Sequence, residues 1–232
     1  MRLCVARKLV WLFDLDNTLH NASHAIFPAI NRNMNALIER VLQEQDLPSH
    51  PDAVNDIRVR YWQRYGATLL GMVRHHGVRA SDFLRDAHQF DNLSDMIRAE
   101  RGLGRLLRRL PGRKILLTNA PRAYAHAVVR QLGLHRHFVE HVPIEAMRVH
   151  QQWRPKPSKL LLHRVLRQRG LSAARCVLVE DSLENLKSAK SLGMRTVWFS
   201  GFSPSFFFRP AYADVQVKSL HKLPAYLSRL RR

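Results

Sequence analysis

The sequence predicts an α/β fold: a Rossmann-like parallel sheet with helices on both faces, plus an inserted all-α cap domain. Short β-rich apolar runs alternate with helical patterns, as in sheets wrapped by helices. The runs are continuously apolar, which is typical of strands covered on both faces. A long stretch after the first run carries helical patterns and no convincing strand. Ligands of such folds bind at the carboxyl edge of the sheet, so we expect the functional residues there.

Four segments are predicted as strands, and three helical segments separate the later ones. The strands are LVWLFD (9–14), KILLTN (114–119), CVLVED (176–181) and TVWFS (196–200). The helical segments are PRAYAHAVVRQLGL, PSKLLLHRVLRQRG and SLENLKSAKSLGM. Each helical segment ends at or near a glycine, as helix C-termini often do. The tail, SLHKLPAYLSRLRR, is predicted to be a final helix with Pro224 at or near its start.

The inserted block predicts a second domain. Apolar residues at helical spacing occur in MNALIERVL, VRYWQRYGATLLGMV and DFLRDAHQF. A block of roughly 70 residues is too long for a loop. We interpret residues 22–95 as a helical cap domain over the carboxyl edge of the sheet, and residues 1–21 and 96–232 as the core domain.

The charge is unusual for an otherwise ordinary globular composition. The chain has 232 residues, of which 38 are Lys or Arg and 18 are Asp or Glu, for a net charge of +20. Such an excess attracts polyanions and phosphates. The arginines are spread along the chain and no nucleic-acid-binding module is evident. An arginine-biased surface is therefore favoured, and nucleic-acid binding stays open as an alternative.

Other features bear on the compartment and the partners. The longest apolar runs are too short to cross a bilayer, and the N-terminus lacks the features of a signal peptide. Cys4 and Cys176 are the only cysteines, which indicates free thiols and no thiol-based metal site. We expect a cytoplasmic protein with no membrane partner, and the sequence leaves its oligomeric state open.

Polar side chains follow the predicted strands where each strand ends. Asp14 and Asp16 close the first strand, Thr118 the second and Asp181 the third, while Lys156 precedes a helix. These ends should meet at one edge of a parallel sheet. The aspartate pair is unfavourable unless a cation, a shared proton or solvent offsets its repulsion, and the pair alone leaves these three remedies open.

Four stretches, FDLDNTLH, LLTNAP, RPKPS and VLVEDSLENLKSAKSLGM, resemble in order and spacing the motifs of the haloacid dehalogenase superfamily of aspartate-nucleophile phosphatases. The resemblance covers nearly the whole chain. It implies that Asp14 is the nucleophile and a Mg²⁺ ligand, and that Asp181 is a second ligand. Asp16 would be the acid/base and would contribute its backbone carbonyl to the metal. An aspartate at this position resembles the phosphatase and mutase branch and argues against carbon–halogen hydrolysis.

The resemblance also implies how the phosphoryl group is held. The Thr118 hydroxyl and the Asn119 backbone N–H would bind its oxygens, and Lys156 would neutralise them. Glu180 is left outside the ligand set. It is either a carboxylate behind the direct metal ligands or an ordinary residue that precedes the next helix. Asn185 stands where many members have a further acid, which leaves the outer metal shell open.

The segment VRYWQRYGATLLGMVRHHG resembles the cap of a pyrimidine 5′-nucleotidase subgroup. The candidate substrate-binding residues there are Tyr61, Trp62, Arg64, Tyr65, His75 and His76. Core packing is the alternative for the aromatic residues. We therefore expect a Mg²⁺-dependent phosphomonoester hydrolase that acts on a nucleoside monophosphate through an aspartyl-phosphate. The alternatives are a sugar-phosphate phosphatase or phosphomutase, and a basic nucleic-acid-binding protein on an inactive scaffold.

Overall fold

A computed structural model describes residues 9–202 and 210–231. The predicted free thiol Cys4 lies outside the described residues. The chain forms two compact units. One contains Met1–Asn21 and Arg98–Arg232, and the other contains Ala22–Ile97. Each is described separately below.

A six-stranded sheet, parallel throughout, forms the centre of the first unit. In chain order the strands are β1 (Val10–Phe13), β2 (Arg113–Leu117), β3 (Glu140–Val142), β4 (Arg148–Val149), β5 (Gln152–Trp153), β6 (Cys176–Glu180), β7 (Arg195–Phe199) and β8 (Val215–Val217). The sheet order is β3-β2-β1-β6-β7-β8, and β4 and β5 form a separate antiparallel pair. Strand β1 lies in the middle, where the winding changes direction, and ligands of α/β folds bind at such points.

The four predicted strands are confirmed as β1, β2, β6 and β7. The prediction missed the edge strands β3 and β8, which have three residues each. A strand this short carries too little periodicity to distinguish it from a loop, so its identity depends on pairing with the neighbouring strand.

Ten α-helices lie in the described part of the chain. They are α1 (Ile26–Glu44), α2 (Pro51–Tyr65), α3 (Thr68–His76), α4 (Ala80–Ala87), α5 (Leu93–Met96), α6 (Leu103–Arg109), α7 (Arg122–Gln131), α8 (Lys159–Gln168), α9 (Leu183–Ser191) and α10 (Leu227–Arg231). Left-handed glycines follow α7, α8 and α9, as predicted. The tail begins with a 3₁₀ helix, Leu220–Tyr226, that contains Pro224, and only then becomes α10. The predicted tail helix is therefore present, but only Leu227–Arg231 is α-helical, because proline cannot donate the hydrogen bond that a continuous α-helix through Pro224 requires.

Strand β1 is buried on both faces, as its continuous apolar character predicts. Val10 and Leu12 belong to a core cluster that includes Leu162 of α8 and Leu186 of α9. On the alternate face the rings of Trp11 and Phe13 stack with centroids 6.0 Å apart. Burying each large apolar side chain contributes about 1.5–3 kcal/mol, so this strand is a fixed platform for the residues that follow it.

The second unit contains helices α1–α5 and no strand, as the sequence indicates. Gly66 separates α2 from α3 because it adopts a φ of 80° and donates its amide hydrogen to the Trp62 carbonyl at 2.8 Å. The ring of Tyr61 packs onto Gly71, where an added Cβ would lie 2.1 Å from Tyr61 Cγ. No helix in the described ranges has the length and apolarity to cross a membrane.

Candidate active site

The turn after β1 brings two side chains of the first predicted motif together. The Asp14 amide donates to the Val179 carbonyl at 3.0 Å, so sheet pairing continues one residue past the strand. Asn17 then adopts a φ of 56°, which asparagine tolerates better than most residues. The turn places Thr18 Oγ1 3.0 Å from Asp14 Oδ2, to which it donates. Asp14 is 5% exposed, so its carboxylate depends on such protein contacts.

Lys156 supplies the positive charge beside Asp14. Its Nζ donates to Asp14 Oδ1 at 2.6 Å and to Glu180 Oε2 at 2.7 Å, and the residue is 4% exposed. Asn119 holds the lysine backbone from both sides: its Oδ1 accepts from the Lys156 amide at 2.9 Å, and its Nδ2 donates to the Lys156 carbonyl at 3.0 Å. The sequence indicated only the backbone of Asn119 as a functional group, and the structure adds this positioning role for its side chain.

Asp14, Glu180 and Asp181 form a compact acidic group. Each offers one carboxylate oxygen, and these atoms all lie within 4.8 Å of one another. When all three carboxylates are ionised, the single ammonium leaves the group with a formal charge of −2. Buried charge of this size requires compensation, and oxygen ligands at this spacing suit a hard divalent cation such as Mg²⁺. The residues present therefore fit the metal that the sequence resemblance implies.

Sequence reasoning left Glu180 out of the metal ligands, yet the structure places it in the acidic group. It is 1% exposed, and it also accepts a hydrogen bond from the Ser182 amide at 3.1 Å. The available signal was a glutamate at the end of a strand that is otherwise wholly apolar, because a buried glutamate needs a charged partner. Lys156 is that partner.

Burial and mutual repulsion alter the acidity of this group. Burial raises the pKa of Asp14 to about 7; the charge of Glu180 adds to the effect and Lys156 opposes it. Burial, followed by the charges of Glu180 and Asp14, raises the pKa of Asp181 to about 10. Burial alone would lower the pKa of Lys156, but the two adjacent carboxylates raise it above its usual range. The protein alone thus leaves the acidic group short of positive charge.

Asp16 lies beside a different set of partners. Its Oδ1 accepts a hydrogen bond from the Tyr124 hydroxyl at 2.6 Å and lies 2.9 Å from His20 Nε2. The same His20 nitrogen is 3.3 Å from the Tyr124 oxygen. Burial and the charge of Asp16 raise the pKa of Tyr124 above its usual range, so the phenol keeps its hydrogen. Sequence reasoning missed His20 and Tyr124; a histidine inside the first motif was the only signal.

Thr118 lies at the end of β2, near the same edge. Its amide donates to the Val142 carbonyl at 3.1 Å, which extends the pairing of β2 with β3, and its Oγ1 accepts from the Ala120 amide at 3.0 Å. These contacts fix the turn that follows the strand. A phosphoryl contact of Thr118 or of the Asn119 amide stays a prediction.

The predicted substrate-binding residues of the cap lie together in the second unit, on α2 and α3. The Tyr65 hydroxyl is 2.6 Å from His75 Nε2, and the Tyr61 hydroxyl is 2.9 Å from His76 Nε2. The Arg64 guanidinium lies 5.5 Å from the centre of the Tyr65 ring. These residues therefore form one cluster of mutual contacts, and their contact with a substrate stays a prediction.

The sequence profile of the haloacid dehalogenase-like hydrolases matches residues 10–193. The chain belongs to this family. The superfamily resemblance is thereby confirmed, and the haloacid dehalogenase-like core explains why polar residues gather at the ends of β1, β2 and β6. The finer assignment to the pyrimidine 5′-nucleotidase subgroup stays a prediction.

Solved structures similar to this haloacid dehalogenase-like chain include both phosphatases and dehalogenases. A HAD phosphatase from Thermococcus onnurineus is 16% identical with a TM-score of 0.64, over 94% of this chain and 97% of the other. A 2-haloacid dehalogenase from Pseudomonas syringae is 21% identical with a TM-score of 0.57, over 95% and 98%. A HAD hydrolase from Bacillus subtilis bound to magnesium is 17% identical with a TM-score of 0.55, over 95% and 99%. Identities this low show the shared fold alone.

Proposed function

We propose that this hydrolase cleaves phosphate monoesters with Mg²⁺ and forms an aspartyl-phosphate on Asp14. The buried group of Asp14, Glu180, Asp181 and Lys156 carries the proposal, because its excess negative charge suits a divalent cation beside a carboxylate nucleophile. Asp16 supports a phosphatase over a dehalogenase, since a second aspartate at this spacing resembles the phosphatase and mutase branch.

The chemistry requires two displacements at phosphorus. An Asp14 oxygen attacks the phosphorus atom while the bond from phosphorus to the ester oxygen breaks, and Asp16 gives its proton to that departing oxygen. A water molecule then attacks the aspartyl-phosphate, Asp16 takes the water proton, and phosphate leaves as Asp14 is regenerated. Acid–base assistance of this kind typically contributes about 10²- to 10⁴-fold in rate.

The remaining residues orient the phosphoryl group. Lys156 holds the Asp14 carboxylate and would neutralise the phosphoryl oxygens, while Thr118 and the Asn119 amide would donate hydrogen bonds to them. Asp14 and Asp181, with the Asp16 carbonyl, would hold the cation. When bound, Mg²⁺ would balance the carboxylates and polarise the phosphate.

For the substrate we propose a nucleoside 5′-monophosphate, with a pyrimidine base. Its support is the sequence resemblance of residues 59–77 and the cap cluster, which offers aromatic rings for stacking and the Arg64 guanidinium as a donor. Sugar phosphates are the alternative substrates, and a mutase would return the phosphoryl group to an acceptor other than water.

The test is phosphate release from UMP, CMP and a panel of sugar phosphates, with Mg²⁺ or with a chelator. We expect turnover with Mg²⁺ only, and loss of about 10⁴-fold or more in Asp14→Asn, because no other side chain replaces the nucleophile. Asp91→Asn removes the charge of an exposed carboxylate and should keep full activity. Undiminished turnover in Asp14→Asn would refute the nucleophile assignment.

One observation favours the alternative of nucleic-acid binding. A groove of about 790 Å³ has no acidic residue in its lining, which consists of Arg148, Val149, His150, Gln151, Leu160, His163, Arg164, Arg167 and Gln168. A phosphodiester backbone suits this charge. Steeply salt-dependent retention of RNA, together with no phosphate release from any ester of the panel, would favour this alternative over the phosphatase.

A further inference from the structure

Two partners of Asp16 meet at the same one of its oxygens, Oδ1. Tyr124 reaches Oδ1 from helix α7, 108 positions later in the chain, and donates to it at 2.6 Å. His20 reaches the same oxygen at 2.9 Å from the turn after β1. The imidazole of His20 is 0% exposed, so it is fixed in position by the protein around it.

The surroundings of His20 identify the nitrogen that carries its hydrogen. Nδ1 is buried and has no hydrogen-bond partner within residues 9–202 and 210–231. A buried N–H without an acceptor is unfavourable, so the ring hydrogen belongs on Nε2, facing Asp16 Oδ1 and the Tyr124 oxygen. Both neighbours are then donors to Oδ1, since the hydroxyl of Tyr124 also donates to this oxygen.

We propose that Tyr124 and His20 are positioning residues that bind Oδ1 of Asp16 and so fix the orientation in which this carboxyl transfers its proton. The inference rests on the proposed acid/base role of Asp16. As the O–H bond of the Asp16 carboxyl breaks, the proton passes to the ester oxygen leaving phosphorus, and the charge left on the carboxylate is stabilised by the two donors at Oδ1.

This role predicts a dependence on the leaving group. An alkoxide, such as the 5′-oxygen of a ribose, is a poor leaving group unless it is protonated as its bond to phosphorus breaks. The p-nitrophenolate ion departs without a proton. A carboxyl with the wrong orientation should therefore slow the cleavage of alkyl phosphates and leave the cleavage of p-nitrophenyl phosphate nearly unchanged.

The experiment measures kcat/KM for UMP, or for the best alkyl ester of the panel, and kcat/KM for p-nitrophenyl phosphate. The parameter kcat/KM is used because it reports the first displacement and not the later attack of water. In Tyr124→Phe we expect a loss of about 10- to 100-fold for the alkyl ester, a part of the acid–base factor, and less than about twofold for the aryl ester. His20→Leu should show the same split between substrates, that is, a larger loss of kcat/KM for the alkyl ester than for the aryl ester. His20→Gln, whose amide can donate, should recover part of the loss. Asp16→Asn should show a larger split while Mg²⁺ binding persists.

Controls separate positioning from misfolding and from failure of the proposed function. Tyr226→Phe removes a tyrosine hydroxyl elsewhere and should change neither substrate. Equal losses on both substrates in Tyr124→Phe, or no loss on either, would overturn the positioning role. Full activity in Asp14→Asn would instead refute the nucleophile assignment, and no phosphate release from any ester by the wild type would refute the phosphatase itself. Lost activity in Asp14→Asn, with no split in Tyr124→Phe and His20→Leu, would overturn only the inference.

Discussion

Lys156 shows how one residue can stabilise a buried acidic group. Its ammonium group is buried between Asp14 and Glu180, and both carboxylates lose their positive partner if it is removed. A buried ion pair adds little net stability compared with an apolar replacement of the whole pair, but breaking it leaves uncompensated charge. The lysine thus matters for folding as well as for the proposed catalysis.

Lys156→Met should therefore destabilise the protein in the absence of divalent cations. We expect the free energy of unfolding to fall by about 3–5 kcal/mol, the usual cost of removing one partner from a buried ion pair. Denaturant unfolding at pH 7 with a chelator measures this change. Lys187→Met removes an exposed lysine from α9 and should stay within about 0.5 kcal/mol of the wild type. Equal effects of the two substitutions would contradict the structural role of Lys156.

The site residues could be predicted only where a sequence signal exists. The carboxyl ends of parallel strands lie at one edge of the sheet. The location of Asp14, Asp16 and Asp181 at this edge was therefore predictable, because each follows a strand. Tyr124 gave no such signal. It lies in a helix 108 positions away from Asp16, and only tertiary packing decides which residue of that helix reaches the carboxylate. Its position could not be derived from the local pattern.

At the scale of elements, the α2–α3 pair shows how a glycine can set a helix contact. Gly71 lies inside α3, where alanine would ordinarily be preferred by about 1 kcal/mol. The Tyr61 ring occupies the space that a side chain would need, because an added Cβ would overlap the ring. Close packing of the two helices thus takes precedence over helix propensity.

Gly71→Ala should lower the stability of the protein. Overpacking typically costs about 1–3 kcal/mol, which exceeds the gain in helix propensity, and thermal unfolding of the full chain measures the balance. Gly104→Ala is the matched control in α6, since its Cβ would lie 3.3 Å from the end of the His137 side chain, which can shift. A variant of Gly71 that is as stable as the wild type would show that Tyr61 can move aside.

Short elements also explain what the sequence did not predict. Strand β8 is only Val215–Val217, and it is a strand because Val197, Trp198 and Phe199 of β7 pair with it. Its own three residues carry no detectable period. Long buried strands such as β1 and β6 were predictable because continuous burial leaves a continuous apolar run.

At the scale of the whole molecule, positive charge affects how stability depends on pH. The net charge is +20 with neutral histidines, and thirteen histidines add charge as the pH falls. His137 lies near Arg108 and Lys114. Burial first, and then these cations, lower its pKa below the usual value of about 6.5. Burial, followed by nearby His126 and Arg122, lowers the pKa of His141 in the same way.

The sign of the effect follows from proton linkage. Both histidines bind protons more readily in the unfolded chain than in the folded protein, so their contribution to stability is complete above about pH 6.5 and is lost as the pH falls through their lowered pKa values. Asp14 acts in the opposite direction, since a raised pKa favours the folded state at lower pH. Total stability therefore mixes both effects, and a comparison with a histidine variant separates them.

The double variant His137→Gln/His141→Gln should lose less stability on acidification than the wild type. We expect acidification from pH 7.5 to pH 5.5 to lower the melting temperature of the variant by less than it lowers that of the wild type. The carboxylates that oppose this trend are the same in both proteins, so the comparison isolates the two histidines. Added salt should reduce the part due to neighbouring cations and leave the part due to burial. His163→Gln, which changes an exposed histidine of α8, is the control and should behave as the wild type. Identical pH dependence in the double variant and the wild type would show that these two histidines do not oppose protonation in the folded protein.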